Sequence, residues 1–253
     1  MGQLFQTFFY QPILNLLIFF YNYVPGHDLG LAIILLTIVI KLILYPLSRQ
    51  SIKSQKALQD LQPKLNKIKE KYKGDREALG KATLALYRDN KINPFSSCLP
   101  LLVQIPFFFA VFRVFRDELN HQSLNLIYPF LEKPETLNTF FFNIVDLSHP
   151  SKILAVLAGL AQFWQTKMLM AKKPAIKAPE AKDENMTAIL NKQMLYFMPV
   201  LTVFFGFTFP GGLALYWLVT TLLTVAQQKI VFRGGLAQPA DTEKKVIEGE
   251  VVK

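Results

Sequence analysis

A lysine inside an apolar segment places the strongest constraint on this chain. Residues 30–49 read GLAIILLTIVIKLILYPLSR, with Lys41 inside the run and Pro46 ahead of a basic region. About 20 mainly apolar residues are what an α-helix needs to cross a bilayer. A charged residue there is costly and marks a functional site by default. We therefore expect a membrane helix whose Lys41 faces a polar cavity, with Thr37 one turn earlier on the same face.

A second interpretation of Lys41 stays open at this point. Arg49 follows eight residues later, roughly 12 Å along a straight helix. The flexible stem of a lysine lets the ammonium reach towards a polar boundary. Because that distance exceeds a comfortable reach for one side chain, the sequence favours the cavity over this snorkelling position.

The composition supports an integral membrane protein. Of 253 residues, 51% are hydrophobic, and several apolar runs are long enough to form membrane helices. The single cysteine, Cys98, excludes an internal disulfide and any metal cluster built on several cysteines.

The distribution of charge predicts the topology. Residues 47–93 carry 12 Lys or Arg and five acidic residues, whereas residues 117–151 carry one lysine and five acidic residues. Because basic loops stay in the cytoplasm, the N-terminus is predicted outside and the C-terminus inside. The predicted spans are residues 29–47, 98–115, 152–170, 193–209 and 213–231, within a core of residues 26–232.

Residues 1–25 are predicted to form an interfacial amphipathic helix on the outer surface, with a sixth span as the alternative. A polar stripe at Gln3, Thr7, Gln11 and Asn15 runs along an otherwise apolar helix. No lysine or arginine precedes Lys41, which argues against a secretory signal peptide.

The loops have distinct predicted structures. Residues 50–92 are expected to form a cytoplasmic helical hairpin, because leucines recur at heptad spacing on both sides of Gly74-Asp75. Residues 116–151 form the external loop, whose Phe140–Phe142 patch is typical of interfacial anchoring. Residues 171–192 are predicted to be a mobile cytoplasmic linker, and residues 233–253 a disordered tail.

Polar residues inside the spans favour the cytoplasmic half of the predicted bundle. Lys41, Gln104, Gln165 and Thr224 come from four different spans. This asymmetry predicts a hydrophilic groove open to the cytoplasm. A through-channel would carry polar residues along its full height.

Four stretches resemble the YidC/Oxa/Alb family of membrane protein insertases, in its short bacterial form. They are PGHDLGLAIILLTIVIKLILYPL (25–47), LQPKLNKIKEKYKGD (61–75), NPFSSCLPLLVQIPFFFAVFRV (93–114) and FPGGLALYWLVTTLLTVAQQ (209–228). They follow the family's order and loop lengths over most of residues 1–232.

The resemblance implies an all-α protein with five transmembrane helices around a cytoplasm-open groove, without enzymatic activity or cofactor. It implies a bacterial plasma membrane location and insertion of nascent membrane proteins. The ribosome, the Sec translocon and anionic lipids are implied partners, and the monomer is the implied functional unit. At the position of Lys41 most bacterial members have arginine, whose bidentate fork lysine lacks. The implied groove residues are Lys41, Thr37, Gln165, Trp217, Gln104 and Tyr216.

Two other function classes fit the sequence less well than a membrane protein insertase. A small-solute transporter or channel is the main alternative, but it predicts inverted repeats, and none is visible in the sequence. An intramembrane Ser–Lys protease needs a serine beside Lys41, and no predicted span contains a buried serine.

Overall fold

The protein is described here by a computed structural model covering residues 2–72, 74–97, 99–116, 125–134, 136–169 and 182–233. Most of these residues are helical, which agrees with the predicted all-α membrane protein. The helices are α1 (Gln3–Tyr23), α2 (Leu29–Ile43), α3 (Tyr45–Lys71), α4 (Arg76–Asp89), α5 (Leu99–Arg116), α6 (Lys152–Leu169), α7 (Lys182–Thr208) and α8 (Gly211–Arg233). Two short antiparallel strands, β1 (Phe140–Phe141) and β2 (Val145–Asp146), lie between α5 and α6.

Helix α8 is the centre of the bundle. It contacts α2, α3, α5, α6 and α7, and its first six residues, Gly211 to Tyr216, are buried. α6 and α7 pack closely against each other, since a Cβ on Gly206 of α7 would lie 2.5 Å from the Cβ of Ala155 of α6. Small residues of this kind let membrane helices approach at their backbones.

Two described helices are long and apolar enough to cross a membrane, namely α1 and α8. α2 and α3 qualify as a third only if this bent pair is counted as one span. The apolar stretches Leu102–Phe115 in α5 and Leu195–Thr208 in α7 are shorter.

The first predicted span ends earlier than expected. The sequence predicted residues 29–47, but α2 stops at Ile43, and α3 starts at Tyr45 after a bend of 70°. Pro46 accounts for this break, because a proline lacks the backbone N–H and disfavours helical geometry in the residue before it. Lys41 therefore lies in the last turn of α2.

The polar stripe of α1 binds the loop between α5 and α6, which is the loop predicted to be external. The Asn15 side chain donates to the Leu126 carbonyl (2.9 Å) and accepts from the Tyr128 amide (2.6 Å). Gln11 also donates to Leu126, and Asn22 donates to the Glu132 carbonyl. The opposite face of α1 is buried in the main core. The stripe predicted from the sequence thus meets the protein's own backbone, and whether α1 lies on or crosses the membrane stays a prediction.

The external loop is also fixed to the start of α2. Asp28 caps α2 by accepting from the Leu31 amide, and its other oxygen accepts from the Phe142 amide at 2.6 Å. Phe141 fills the space that a side chain on Gly30 would occupy. The aromatic patch is therefore divided: Phe141 packs against α2, while Phe142 is 59% exposed. The role of the patch as an interfacial anchor stays a prediction.

The predicted hairpin is formed by α3 and α4. Leu61, Leu65 and Leu86 make its small core, and Asp75 caps α4 by accepting from the Glu77 and Ala78 amides. α3 begins at Tyr45, five residues before the predicted start of the hairpin.

The predicted linker, residues 171–192, is partly helical. α7 already begins at Lys182, because no proline falls between Pro179 and Pro199 to prevent helix formation. Residues 170–181 lie outside the described residues, as does the predicted disordered tail from residue 234 onward.

Candidate functional site

The Lys41 side chain crosses from α2 to α8. Its ammonium donates to the Thr224 hydroxyl with an Nζ to Oγ1 distance of 2.7 Å. The Thr224 hydroxyl in turn donates to the Thr220 carbonyl, also at 2.7 Å. Since that hydroxyl has given its only proton to Thr220, its lone pairs are free to accept from the ammonium.

The position of Lys41 bears on both interpretations of this residue. The residue lies close to the α2–α3 bend, nearer to the basic region than a straight helix would put it. Its ammonium nevertheless ends on the hydroxyl of Thr224 in α8. Within the described residues it makes this one hydrogen bond and no ion pair, which leaves two of its three donors for a ligand.

Thr37 is fully buried on the same face of α2. Its hydroxyl donates to the Ile33 carbonyl at 2.6 Å, within its own helix. The sequence placed Thr37 one turn from Lys41 on the same face, and the hydrogen bond of the Lys41 ammonium goes to Thr224. Thr37 therefore does not hold the ammonium.

Helix α8 carries a row of polar side chains at four-residue spacing, which we term the α8 polar stripe: Tyr216, Thr220, Thr224 and Gln228. Gln228 is fully buried, and neither its amide nitrogen nor its amide oxygen has a partner within the described residues. The Thr220 hydroxyl and the Gln227 side-chain oxygen are also buried without one. Buried amides and hydroxyls of this kind are normally satisfied by water or a ligand.

Two of the residues that the resemblance implied for the groove, Gln104 and Tyr216, are also joined. The Gln104 side-chain amide on α5 donates to the Tyr216 hydroxyl at the first member of the α8 polar stripe. Tyr216 is 2% exposed. It lies eight residues before Thr224, roughly 12 Å away along the helix. α8 thus connects the Gln104–Tyr216 pair with the Lys41–Thr224 pair.

Trp217 lies in an aromatic environment. Its ring contacts Phe108 of α5 at 5.5 Å between centroids and Phe205 of α7 at 6.4 Å. Phe112 and Phe209 close the set, since each contacts the other and one of these phenylalanines. We term these five residues the aromatic cluster; it forms an apolar wall between α5, α7 and α8.

Gln165 is half-buried on α6, which packs along α8. No hydrogen bond connects it to Lys41 or to another side chain in the part of the chain that the structure describes. Four of the six residues predicted for the groove therefore fall into two pairs. Gln104 and Tyr216 are hydrogen-bonded to each other, and Lys41 and Thr37 lie one turn apart on α2. Gln165 and Trp217 lie apart from both pairs.

The site has a specific chemistry. It combines the Lys41 ammonium with hydroxyls and side-chain amides of α5 and α8. Among the described residues, no group of three or more His, Cys, Asp or Glu is arranged to hold a metal ion. Such a site can bind an acidic, partly hydrated segment by charge and hydrogen bonds.

Sequence reasoning missed the pairing of Lys41 with Thr224 and also missed Gln228. Thr224 was counted among the polar residues that predict the groove, but it was not paired with Lys41, and Gln228 was not assigned to the groove. The signal was present in the four-residue spacing that places Thr220, Thr224 and Gln228 on one helical face. The sequence does not give the rotation of α8 relative to α2. This rotation decides which face of α8 meets Lys41.

Comparisons with known proteins support a specific family. Residues 19–237 match the model of the family described as 60Kd inner membrane protein. A protein named membrane protein insertase YidC from Syntrophobacter fumaroxidans is 39% identical over 231 residues, which cover 90% of this chain and 38% of that protein. Proteins of the same name from Geobacter metallireducens and Geotalea daltonii are 38% and 39% identical over 225 residues, covering 87% of this chain.

The chain spans 36 to 38% of the length of these relatives. The family match covers both helices of the Lys41–Thr224 pair and every residue of the α8 polar stripe. From this match and these identities, the chain belongs to the 60Kd inner membrane protein family, in which it is similar to the proteins named YidC.

Proposed function

We propose that this protein is a membrane protein insertase and chaperone of the bacterial plasma membrane. Its family membership and the name of its relatives support this function. The observation that carries the proposal is the Lys41 ammonium, held at 2.7 Å on Thr224 inside a bundle of apolar helices. A half-buried cation with free donors is suited to attract an acidic polar segment.

The proposed architecture has five spans around a groove open to the cytoplasm. α2, α5, α6, α7 and α8 provide the spans, with the N-terminus outside and the C-terminus inside. α1 lies on the outer surface or adds a sixth span. The groove is walled by Lys41, Thr37, Gln104, Gln165 and Tyr216, and Trp217 lies on its apolar side.

The proposed mechanism uses no nucleotide hydrolysis. A substrate's short hydrophilic segment must cross an apolar layer of roughly 30 Å, and water within the groove shortens that barrier. Lys41 attracts an acidic residue more strongly there than in bulk water, because the low dielectric weakens screening. The substrate's apolar helix then moves into the lipid past the aromatic cluster. A single charge binds the segment weakly enough to release it.

The proposed partners follow from the exposed charge. Nascent membrane proteins are the substrates. The basic surface of α3 and α4 is suited to the ribosome, to anionic lipid headgroups and to recruitment beside the Sec translocon. The protein works as a monomer in this proposal.

The test is insertion into liposomes that contain the purified protein. The substrate is a single-span protein with a short acidic N-terminal tail, and protection of the tail from external protease reports its crossing. Wild type should insert the substrate well above empty liposomes. Lys41→Leu should lose most of that activity, because it removes the charge, whereas Lys41→Arg should retain it.

The controls distinguish the insertase function of the protein from the role of Lys41 in it. If wild type inserts no more substrate than empty liposomes, the insertase proposal is wrong for this protein. If wild type and Lys41→Leu are equally active, the function stands but the charge of Lys41 does not take part in it.

A further inference from the structure

We infer that Thr224 is a positioning residue that aims the Lys41 ammonium into the groove. This inference rests on the proposed insertase function and assigns to Thr224 a role in selecting acidic substrate segments. It is carried by the two consecutive hydrogen bonds from Lys41 to Thr224 and from Thr224 to Thr220.

The direction of these bonds makes the hydroxyl a fixed acceptor. The Thr220 carbonyl belongs to the backbone of α8 and cannot turn away, so it fixes the orientation of the Thr224 hydroxyl. That orientation presents oxygen lone pairs to α2, where the ammonium arrives. A valine at position 224 has the same shape but no acceptor. The effect is therefore specific to the hydroxyl and not to the volume of the side chain.

The position of Lys41 makes such an acceptor necessary. It lies in the last turn of α2, where the partial negative charge of the helix terminus attracts a cation. The nearby basic start of α3 also offers a polar boundary for a long, flexible stem. Without Thr224 the ammonium is free to move towards the α2–α3 bend and away from α8. The hydrogen bond to Thr224 holds the charge on the interior side.

The variants isolate this contact. Thr224→Val removes the acceptor, and Thr224→Ser keeps it. Thr221→Val is the matched control, because Thr221 is also buried on α8 and undergoes the same chemical change. Lys41 makes no hydrogen bond with it within the described residues.

The first readout is the ratio of insertion between two substrates, one with an acidic tail and one in which the acids are replaced by their amides. Thr224→Val should reduce insertion of the acidic substrate about tenfold, the size of one hydrogen bond to a charged group. Insertion of the amide substrate should stay within about twofold. Thr224→Ser and Thr221→Val should both behave like wild type.

The second readout does not depend on insertion. Acylation of Lys41 by a water-soluble amine reagent, quantified by mass spectrometry, reports the surroundings of the ammonium. Thr224→Val should change the labelling rate of Lys41 several-fold, and Thr221→Val should leave it unchanged. A folding defect would instead change the labelling of many lysines together.

The outcomes distinguish a failure of the Thr224 inference from a failure of the proposed function. The inference is overturned if Thr224→Val keeps the wild-type preference for acidic tails, if Thr221→Val loses it equally, or if Thr224→Ser fails to restore it. If wild type itself shows no insertion, the proposed function fails. The labelling comparison then still decides whether Thr224 holds Lys41.

Discussion

Gln228 shows, at the scale of single residues, what the proposed groove would cost the fold. It is completely buried on α8, and its amide has no partner within the described residues. Burial of an unpaired amide costs roughly 1–3 kcal/mol. A protein tolerates such a cost where the group has a function, and stabilising changes there commonly reduce activity.

Gln228→Met should therefore raise stability and lower activity. Methionine has a similar volume and no amide to desolvate, so we expect a gain of about 1 kcal/mol in the free energy of unfolding. Insertion of an acidic-tailed substrate should fall several-fold. Thermal unfolding in detergent and the liposome assay measure the two effects. Thr202→Val on α7 is the control, because the Thr202 hydroxyl bonds only its own helix in the described structure. Unchanged insertion in Gln228→Met would contradict a role in the groove.

Single residues also show where sequence reasoning stops. Lys41 could be predicted because a charge in an apolar run is rare whatever the fold. The hydrogen-bond partner of Lys41 could not be predicted, because Thr37 and Thr224 are equally plausible until the rotation of α8 is known. The break before Pro46 had a local signal, and the predicted span to residue 47 overlooked it.

At the scale of elements, α1 holds the external loop in place. Its polar stripe satisfies backbone groups of residues 126–132, which would otherwise be partly buried without partners. The sequence identified the stripe and predicted an interfacial helix, with a sixth span as the alternative, but it did not predict that the stripe contacts this loop. A stripe that faces water and one that faces a neighbouring backbone have the same spacing, so periodicity cannot separate them.

Asn15→Ala should loosen the external loop. The change leaves the Tyr128 amide and the Leu126 carbonyl without the Asn15 side chain, at a cost of about 1–3 kcal/mol. We expect faster protease cleavage within residues 125–134 and a lower unfolding temperature. Thr7→Ala changes an exposed member of the same stripe and should have no effect. Equal behaviour of the two variants would show that the α1 contacts do not hold the loop.

The same loop should respond to acid through Asp146. The Ser148 hydroxyl, followed by the Ser148 amide, His149 and Thr139, donates to this carboxylate and holds its pKa well below the usual range. Because the folded pKa is depressed, the stabilisation is present above about pH 4 and is lost as the pH falls below it.

We therefore expect protease sensitivity of residues 136–149 to rise below about pH 4. The Asp146 segment also holds the start of α8, where Gly211 and Gly212 donate to the His149 and Leu147 carbonyls. Asp146→Asn should be more sensitive at neutral pH and should lose this acid dependence. An unchanged acid response in Asp146→Asn would assign the titration to another group.

At the scale of the whole molecule, the proposed groove predicts that two faces of α6 at the same membrane depth differ in their exposure to water. Gln162 and Leu160 are neighbours on α6, but Gln162 is half-buried in the bundle and Leu160 is 61% exposed on its outside. In the proposed topology the first faces groove water and the second faces lipid.

Cysteines at these two positions should label differently. In a Cys98→Ser background, Gln162→Cys should react with a hydrophilic maleimide added from the cytoplasmic side of membrane vesicles. Leu160→Cys should react only after the membrane is dissolved in detergent. Equal labelling of both cysteines in intact vesicles would contradict a water-filled groove at this depth.

The helical class, the hairpin and the order of the apolar segments could all be predicted, because each depends on local periodicity and charge. The central position of α8 could not. It follows from contacts between segments far apart in the chain, as between Lys41 and Thr224 or Gln104 and Tyr216. A single sequence contains the members of such pairs without their pairing.

The most direct test of the central claim is a double-mutant cycle between Lys41 and the substrate. Insertion is measured for wild type and Lys41→Leu, each with an acidic tail and with its amide counterpart. If the Lys41 charge receives the acidic segment, the two changes should be non-additive, with a coupling of about 1–3 kcal/mol. Additive effects, with the acidic tail favoured equally in both proteins, would show that Lys41 does not contact the substrate charge.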